Sequence, residues 1–325
     1  MDFVEKTYIE AIREVICEEL ETNENFVLLG QDIGEMGGVW GQTKDLQKRF
    51  GKMRVIDSPI AEATMVGIGI GASINGLKML IDIQRIDFLP VAMSPIVNEM
   101  SKISFMTNKQ TNISCVVYSI TGAMLNAGPQ HSQSLENLFL SIPNIRVVIP
   151  SNAYEAKGLL KSSLKSEEPI LFFSPVQLQL TKSKIPEVTY TLPLSKAKLL
   201  KNGEKATIVS YGFPCYVCEE LIKKENYKVE LIDLRSITPI DFETVVDSLN
   251  RTKNLLILQE AYKNGGVCEH IISYIQEHHP NLLKNPVKML CTEFSPIPYS
   301  RKGASKVLLS REKITNFLRE SCYKN

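Results

Sequence analysis

The chain has 325 residues, with 37 Lys and Arg against 36 Asp and Glu, so its formal net charge is +1. This balance excludes a broad positive field for nucleic acid or anionic lipid, and we expect neither as a partner. Hydrophobic residues make up 44% of the chain, as in ordinary globular proteins. The length exceeds what one hydrophobic core usually serves, so two domains are expected.

The seven cysteines are an odd number scattered along the chain, which is no disulfide framework and fits a reducing compartment. Cys215 and Cys218 have redox or zinc spacing, but no second pair or nearby His completes a tetrahedral site. A buried structural pair is therefore favoured. The N-terminal residues include acids, and no uncharged apolar run approaches the roughly 20 residues of a membrane span. We expect a cytoplasmic protein that does not cross a membrane.

The N-terminal half alternates between predicted helices and strands. Apolar spacing predicts helices over 8–20, 62–74 and about 91–103, and strands over 26–30, 54–57, 78–84, 114–119, 146–149 and 170–173. Strands that alternate with helices indicate a parallel sheet covered by helices on both faces.

A second alternation follows a polar stretch at about 182–194, in which Pro186 and Pro193 interrupt the helical pattern. It has predicted strands over 206–210, 229–233 and 254–258, with helices ending near 224 and beginning near 241. The sequence thus predicts a first domain over 1–185, a linker over 186–198 and a second domain over 199–325.

Glu62 opens the apolar, glycine-rich helix predicted over 62–74 and is the only carboxylate between Ser58 and Ala72. Such an acid can share a proton with a weakly basic ring nitrogen. The alternative is a carboxylate that only complements the helix dipole. The alternating glycines Gly67, Gly69 and Gly71 lie inside the helix and lack the dinucleotide-binding spacing, which indicates close helix packing.

His131 lies in the polar segment Gly128-Pro-Gln-His-Ser-Gln-Ser134 and is one of four histidines. A histidine on a polar loop after a strand can donate to a developing anion or move a proton near neutral pH. A purely structural, hydrogen-bonded histidine is the alternative. The other three, His270, His278 and His279, belong to a predicted amphipathic helix and its end, where a solvated surface role is favoured.

An ordered set of motifs makes the chain resemble the beta subunit of the decarboxylating component of the pyruvate and branched-chain 2-oxo acid dehydrogenases. The resemblance runs from about residue 4 to residue 320. Its motifs are Gly30-Gln-Asp-Ile-Gly34, Gly37-Gly-Val, Phe50-Gly, Arg54-Val-Ile-Asp-Ser-Pro-Ile-Ala-Glu62, Gly76-Leu, Gln130-His-Ser-Gln-Ser134, Pro150-Ser, Ala156-Lys-Gly-Leu-Leu-Lys161, Ile232-Asp-Leu-Arg235 and Pro296-Ile-Pro-Tyr299.

The resemblance implies an α/β fold of two three-layer α/β/α domains, a transketolase-type pyrimidine-binding domain followed by a transketolase C-terminal domain. Glu62 matches the family glutamate that bonds N1′ of the aminopyrimidine of thiamine diphosphate. Sharing a proton there helps to activate the thiazolium carbon. Phe88 matches the aromatic packed on the pyrimidine, and Gln84 lines the same pocket. His131 matches the histidine that serves the reaction intermediates and the approach of the lipoyl acceptor.

The sequence also indicates what a partner must supply. The cofactor diphosphate needs Mg²⁺ with oxygen ligands, which related families hold between a Gly-Asp-Gly start and an Asn-Asn end. Gly-Asp-Gly does not occur in this chain. We therefore expect no metal ligands in this chain and an alpha subunit that holds Mg²⁺, in an alpha2-beta2 heterotetramer. A lipoyl acyltransferase is the expected acceptor component, and pyruvate is the first expected substrate.

Some positions depart from the family pattern. Gln31 replaces an acid near the cofactor, Ser166 replaces an acid linked to a structural monovalent-cation site, Gln259 replaces a histidine, and Phe294 replaces an aspartate. The loop over 119–128 is also poorer in glycine than usual.

These departures leave other functions open. One is a diverged two-component thiamine enzyme, of acetoin or biosynthetic type, that passes two carbons to another acceptor. The C-terminal half of a split transketolase is disfavoured by the Gln130-His-Ser-Gln-Ser134 and Pro296-Ile-Pro-Tyr299 motifs. A non-catalytic partner-binding subunit is a further alternative, against which Glu62, Phe88 and His131 count.

Overall fold

A computed structural model of the protein describes residues 2–123 and 127–322. Its backbone contacts divide the chain into two compact units. The first consists of residues 1–121 and 141–194, and the second of residues 122–140 and 195–325. The segment over 122–140, which contains His131, thus groups with the C-terminal half of the chain.

The first unit contains eight strands and five α-helices within its described residues. Its strands are β1 (Phe3–Thr7), β2 (Phe26–Gly30), β3 (Val55–Asp57), β4 (Lys78–Arg85), β5 (Cys115–Thr121), β6 (Arg146–Val148), β7 (Ile170–Pro175) and β8 (Lys182–Pro186). Its α-helices are α1 (Tyr8–Thr22), α2 (Leu46–Phe50), α3 (Glu62–Ile74), α4 (Ile103–Met106) and α5 (Ala153–Lys165).

The main sheet of this unit has the strand order β6-β7-β5-β4-β2-β3, and every neighbouring pair is parallel. Strands β2, β5 and β7 are buried along their whole length, as expected for a parallel sheet flanked by helices. Parallel strands place all their carboxyl ends at one edge. The segments that follow β2, β3 and β4 therefore meet at that edge.

Local signals fix the start of α1. The Thr7 hydroxyl accepts from the backbone N–H of Glu10, and the Glu10 carboxylate accepts from the backbone N–H of Thr7 at 2.8 Å. This capping box satisfies two backbone donors that would otherwise lack partners. Thr7 also ends β1, which pairs with β8 in a separate antiparallel ribbon.

Two buried lysines of α5 hold that helix against α1. Lys157 is fully buried and lies 3.2 Å from Glu14. Lys161 is 4% exposed, and its ammonium lies 2.8 Å from the Glu19 carboxylate. A charge this deeply buried is costly without a partner, so these pairs set the register between the two helices.

The second unit contains strands β9 (Lys198–Lys201), β10 (Thr207–Ser210), β11 (Glu230–Asp233), β12 (Ser236–Thr238), β13 (Leu255–Tyr262) and β14 (Lys288–Thr292). Its helices are α6 (Gly212–Glu225), α7 (Phe242–Thr252), α8 (Val267–His278), α9 (Arg301–Val307) and α10 (Arg311–Cys322). The five-stranded sheet has the order β14-β13-β10-β11-β9, and β9 alone among these strands is antiparallel to its neighbour.

Apolar residues of α6, α10 and the strands form one continuous core in this unit. Cys215 and Cys218 belong to it, and both side chains are fully buried and outside any disulfide bond. The prediction of a buried structural pair is therefore confirmed. Within the described residues, no helix has the length and apolar character needed to cross a membrane.

The segment predicted as a helix over about 91–103 is largely helical, but it is not a continuous α-helix. The chain forms a 3₁₀ helix over Ile86–Ala92, a π-helix over Pro95–Met100 and then the four-residue α4. Proline lacks a backbone N–H and its ring obstructs a regular α-helix, which fits the 3₁₀ geometry around Pro90 and the start of a new helical segment at Pro95. The predicted polar stretch over 182–194 also begins as a strand, β8, because β1 offers it a pairing edge.

Candidate functional site

A buried carboxyl group lies near the carboxyl edge of the first sheet. Asp82 on β4 is 3% exposed, and its Oδ2 accepts from the side-chain amide of Gln42 at 2.9 Å. Oδ1 is buried without a hydrogen-bond partner among the described residues. Burial raises the pKa of Asp82 to about 7, against a lowering effect of the Gln42 hydrogen bond.

Gly30, the last residue of β2, makes room for this carboxyl group. A Cβ added at Gly30 would lie 2.8 Å from the Cβ of Asp82 and 2.9 Å from its carbonyl oxygen. A larger residue would push apart two strands that pair directly in register at these positions. The site therefore requires glycine at the start of the Gly30-Gln-Asp-Ile-Gly34 motif.

Gln84 joins β4 to the segment that follows β2. Its side-chain amide donates to the backbone oxygen of Gln31 at 3.3 Å and to the Asp32 carboxylate at 3.2 Å. Gln31 also donates to the Asp32 carboxylate at 3.3 Å. The structure thus brings the predicted pocket residue Gln84 together with Gln31, which replaces an acid of the family pattern. The Gln31 side-chain amide acts here as a donor to Asp32.

Glu62 is the first residue of α3 and is half-buried. The preceding residue, Ala61, provides no side-chain cap, so Glu62 is the acidic group at the positive end of this helix. Gly69 lies on the buried face of α3, where a Cβ would come 2.8 Å from the Ile81 side chain. This close approach confirms the packing prediction for Gly69, whereas a Cβ at Gly67 or Gly71 would meet nothing within 4 Å, so the prediction is wrong for those two glycines.

The outward face of α3 is apolar. Gly67 and Gly71 face open space, and Ile68 and Ile74 are about half exposed, at 50% and 46%. Ile60, just before the helix, is 71% exposed. We call these five residues the α3 outer face.

Phe88 lies in the 3₁₀ helix that follows β4, and its ring is half-buried. The Arg85 guanidinium and the Asp87 carboxylate form an ion pair at 2.8 Å, and the Asp87 side chain is only 1% exposed. This pair holds the turn in place, and α3 packs against both the turn and β4. Glu62, Gln84 and Phe88 therefore occupy three adjoining elements at the same sheet edge.

His131 belongs to the second unit and is exposed. Neighbouring residues fix its segment: Asn137 donates to the Tyr262 carbonyl at 2.8 Å, and Tyr211 donates to the buried Glu136 carboxylate at 3.3 Å. Gly128 has a φ of +75°, and a Cβ there would overlap the Tyr299 ring. The loop motif and the Pro296-Ile-Pro-Tyr299 motif are thus in direct contact.

Two residues that differ from the family pattern make hydrogen bonds to nearby backbone. Gln259 is fully buried and accepts from the backbone N–H of Cys268 at 2.9 Å, which ties β13 to the start of α8. The Ser166 hydroxyl accepts from the backbone N–H of Glu168 at 3.0 Å. In the glycine-poor loop over 119–128, residues 124–126 lie outside the described part of the chain.

Phe294 is 74% exposed and meets Tyr262 edge to face, with ring centroids 5.5 Å apart. It borders a pocket of about 280 Å³ next to the His131 loop. The pocket lining consists of Pro129, Gln133, Tyr262, Phe294, Ser295 and Pro296.

The sequence interpretation missed Asp82 and Gln42. The available signal was an aspartate inside the otherwise apolar run Met79-Leu-Ile-Asp-Ile83, because an acid in a buried strand needs a partner. Over residues 2–123 and 127–322, no group of three His, Cys, Asp or Glu side chains is placed to hold a metal ion.

Two family models match the chain. The model described as "Transketolase, pyrimidine binding domain" matches residues 4–180, and "Transketolase, C-terminal domain" matches residues 195–314. A solved structure titled "Split gene transketolase, inactive beta4 tetramer" has a TM-score of 0.75 at 19% identity and covers 96% of each chain. It shares the fold.

Curated relatives match nearly the full chain. The 2-oxoisovalerate dehydrogenase subunit beta of Bacillus subtilis (strain 168) is 32% identical over 97% of this chain and 98% of its own. The pyruvate dehydrogenase E1 component subunit beta of Mesostigma viride is 37% identical over 90% of each. That of Gracilaria tenuistipitata var. liui is 35% identical over 90% of this chain and 92% of its own.

The raised pKa of Asp82 predicts a pH-dependent stability. The folded-state pKa of about 7 exceeds the ordinary aspartate pKa of 3.8, so the folded state holds its proton more tightly than the unfolded state does. The contribution of the Asp82 carboxyl group to the free energy of unfolding is therefore full at low pH, and it is lost as the pH rises from about 4 to about 7. The Asp82→Asn side chain cannot ionise. The free energy of unfolding of this variant, relative to that of wild type, should therefore rise across this window by up to about 4 kcal/mol and then stay constant.

Urea unfolding at a series of pH values measures this difference. Asp45→Asn is the matched control, because Asp45 is exposed and the chemical change is the same. Parallel stability profiles for wild type and Asp82→Asn would contradict the assignment of a buried, proton-retaining carboxyl group.

Proposed function

The chain belongs to the transketolase-like family of pyruvate and branched-chain 2-oxo acid dehydrogenase E1 beta subunits, and on that premise we propose that it forms half of a thiamine-diphosphate site which an alpha subunit completes. The observation that supports this most strongly is the placement of Glu62. A half-buried carboxyl group begins an apolar helix at the sheet edge, beside the turn that holds Phe88. The proposed reaction is oxidative decarboxylation of a 2-oxo acid, pyruvate first.

The residues at this edge fit the pyrimidine end of the cofactor. When bound, thiamine diphosphate supplies the nucleophilic carbon and the electron sink for decarboxylation. Glu62 can share a proton with the ring nitrogen N1′, and the Phe88 ring offers an apolar face for the pyrimidine. Gln84 holds Gln31 and Asp32 in place through its two hydrogen bonds and so shapes the same edge. His131 is proposed to donate or move a proton at a later step.

The metal end of the cofactor is proposed to lie in the alpha subunit. Mg²⁺ and a diphosphate need several oxygen ligands. The sequence contains no Gly-Asp-Gly, and the described residues include no cluster of three acidic, histidine or cysteine side chains suited to a metal.

The α3 outer face supports an alpha partner. Exposed isoleucines beside two open glycines let another backbone approach closely, and their burial would be favourable by about 25 cal/mol per Å². We propose an alpha2-beta2 heterotetramer in the cytoplasm that passes its acyl group to a lipoyl acyltransferase.

A second candidate is favoured by the pocket beside the His131 loop. Phe294 gives this pocket an exposed aromatic wall where the family pattern has an acid. An apolar wall is suited to a small apolar acceptor. A two-carbon transfer to another acceptor, in an acetoin-type or biosynthetic reaction, is therefore the alternative.

Reconstitution tests the split site. The purified chain should bind thiamine diphosphate and Mg²⁺ at least about 100-fold more weakly than the chain with an alpha subunit carrying Gly-Asp-Gly, because it lacks the diphosphate half. Calorimetry measures the binding, and pyruvate decarboxylation with an artificial electron acceptor measures the activity. Submicromolar binding by the chain alone would overturn the split site. A stable but inactive complex would instead support a non-catalytic subunit.

Glu62→Gln should slow cofactor activation in the reconstituted complex by about 10²-fold or more, because an amide cannot share a proton with N1′ as a carboxyl group does. Hydrogen–deuterium exchange at thiazolium C2 reports this step directly. Glu24→Gln makes the same change at an exposed site and should leave the rate unchanged. An exchange rate within about threefold of wild type would remove Glu62 from this role.

His131→Ala should reduce acyl transfer to a lipoyl acceptor by about 10²–10⁴-fold while C2 exchange stays near wild type. The reason is that His131 is proposed to act after cofactor activation. His278→Ala removes an exposed histidine from α8 and is the control. Wild-type rates in both assays would make His131 structural. A wild-type complex that uses an artificial acceptor but no lipoyl acceptor would favour the second candidate.

A further inference from the structure

Two free cysteines of the second unit face each other at the edge of its sheet. The sulfur atoms of Cys268 and Cys291 are 3.7 Å apart. Cys268 is the second residue of α8 and is fully buried, whereas Cys291 lies on the edge strand β14 and is partly exposed. Cys291 is therefore the more exposed residue of the pair, and the buried Cys268 sulfur lies beside it.

The surroundings activate the outer thiol. The hydrogen bond shared with Cys268 lowers the pKa of Cys291, and the Lys263 ammonium lowers it further, whereas burial and the carboxylates of Glu269 and Glu293 raise it. The same shared proton raises the pKa of Cys268, as does burial. The thiolate is the reactive form of cysteine, so Cys291 is the nucleophile of the pair.

The sulfurs would have to come closer together to form a bond. Forming a disulfide requires them to move to about 2.05 Å. Strand β14 lies at the sheet edge, and its pairing with β13 is irregular between Leu258 and Tyr262, next to Cys291. An irregular edge strand can shift more easily than a central one.

An open groove adjoins the pair. It has a volume of about 640 Å³ and is lined by residues of α8 and β14 together with Lys263. Lys263 and Glu269 both line the groove and both act electrostatically on Cys291. A small molecule in this groove contacts Lys263 and Glu269, although neither Cys268 nor Cys291 lines the groove.

We propose that Cys268 and Cys291 form a reversible dithiol–disulfide site that reacts with small disulfides of the glutathione class. The site is independent of the thiamine function. In a reducing compartment the pair remains a dithiol, and exposure to an oxidised low-molecular-weight thiol converts it.

The reaction proceeds by two exchanges. The Cys291 thiolate attacks one sulfur of R–S–S–R, forms a mixed disulfide and releases RS⁻, which takes up the proton lost by Cys291. Cys268 then gives up its proton and attacks the Cys291 sulfur, so the mixed S–S bond breaks and a second RSH leaves. The protein pair loses two electrons and two protons, and the reagent gains both.

Peptide mapping without reduction tests the proposal on the native chain incubated with oxidised glutathione. We expect a Cys268–Cys291 cross-linked peptide, with the chain lighter by two hydrogens, and its reversal by dithiothreitol. Cys268→Ala should instead accumulate a stable glutathione adduct on Cys291, because the second thiol is missing. Cys291→Ser should give neither product at position 268.

Cys17 is the internal control for reactivity. It is also partly exposed, but burial and the Glu21 carboxylate raise its pKa. Cys291 should therefore react at least about fivefold faster near neutral pH. A wild-type chain that stops at a Cys291 adduct, that cross-links other cysteines, or whose Cys291 reacts no faster than Cys17 would overturn the proposal.

Discussion

The hydrogen bond between Gln42 and the buried carboxyl group of Asp82 determines how the carboxyl edge of the first sheet is built. It joins β4 to the segment that follows β2, and it fits only because Gly30 has no side chain where the two strands meet. An unpartnered acid at this depth would be strongly destabilising, so the Gln42 segment must fold over it. Gln84, two residues further along β4, joins the same two segments through its hydrogen bonds to Gln31 and Asp32.

This arrangement places the proposed cofactor residues on elements that cannot move independently. Phe88 follows β4 directly, in a turn closed by the Arg85–Asp87 ion pair, and α3 packs on both. Glu62 begins that helix. A catalytic acid needs a fixed distance to its ring nitrogen, and rigid packing of neighbouring elements provides it more reliably than a mobile loop.

The sequence predicted the helices and strands that depend on residues close together in the chain. The helix at α1 and the buried strands of both sheets follow from apolar periodicity, and α3 follows from the apolar, glycine-rich run that begins at Glu62. The β1–β8 ribbon and the Gln42–Asp82 pair join residues far apart in the chain, and no local pattern specifies such a partner. The helix predicted over 91–103 is irregular, because periodicity alone does not register the effect of Pro90 and Pro95 on helix type.

The structural surroundings separate the residues that differ from the family pattern into two groups. Gln259 and Ser166 make hydrogen bonds that support neighbouring backbone, so their chemistry serves the fold at those positions. Phe294 is different, because its ring is exposed at a pocket beside the His131 loop. A substitution that leaves the fold intact but changes an exposed side of a pocket changes which molecules can bind in that pocket. Of these three departures, Phe294 is therefore the one that bears most on the identity of the acceptor.

The α3 outer face connects the proposed chemistry with the proposed partner. Ile68 and Ile74 are exposed on the helix that begins at the proposed catalytic acid, and the exposed Ile60 lies just before it. A partner that buries this face also removes water from around Glu62, and electrostatic interactions strengthen as the local dielectric constant falls. The alpha subunit would then contribute more than the metal site. By excluding water, it would strengthen the proton sharing on which Glu62 depends, which gives a physical reason why the beta chain alone is not expected to activate the cofactor.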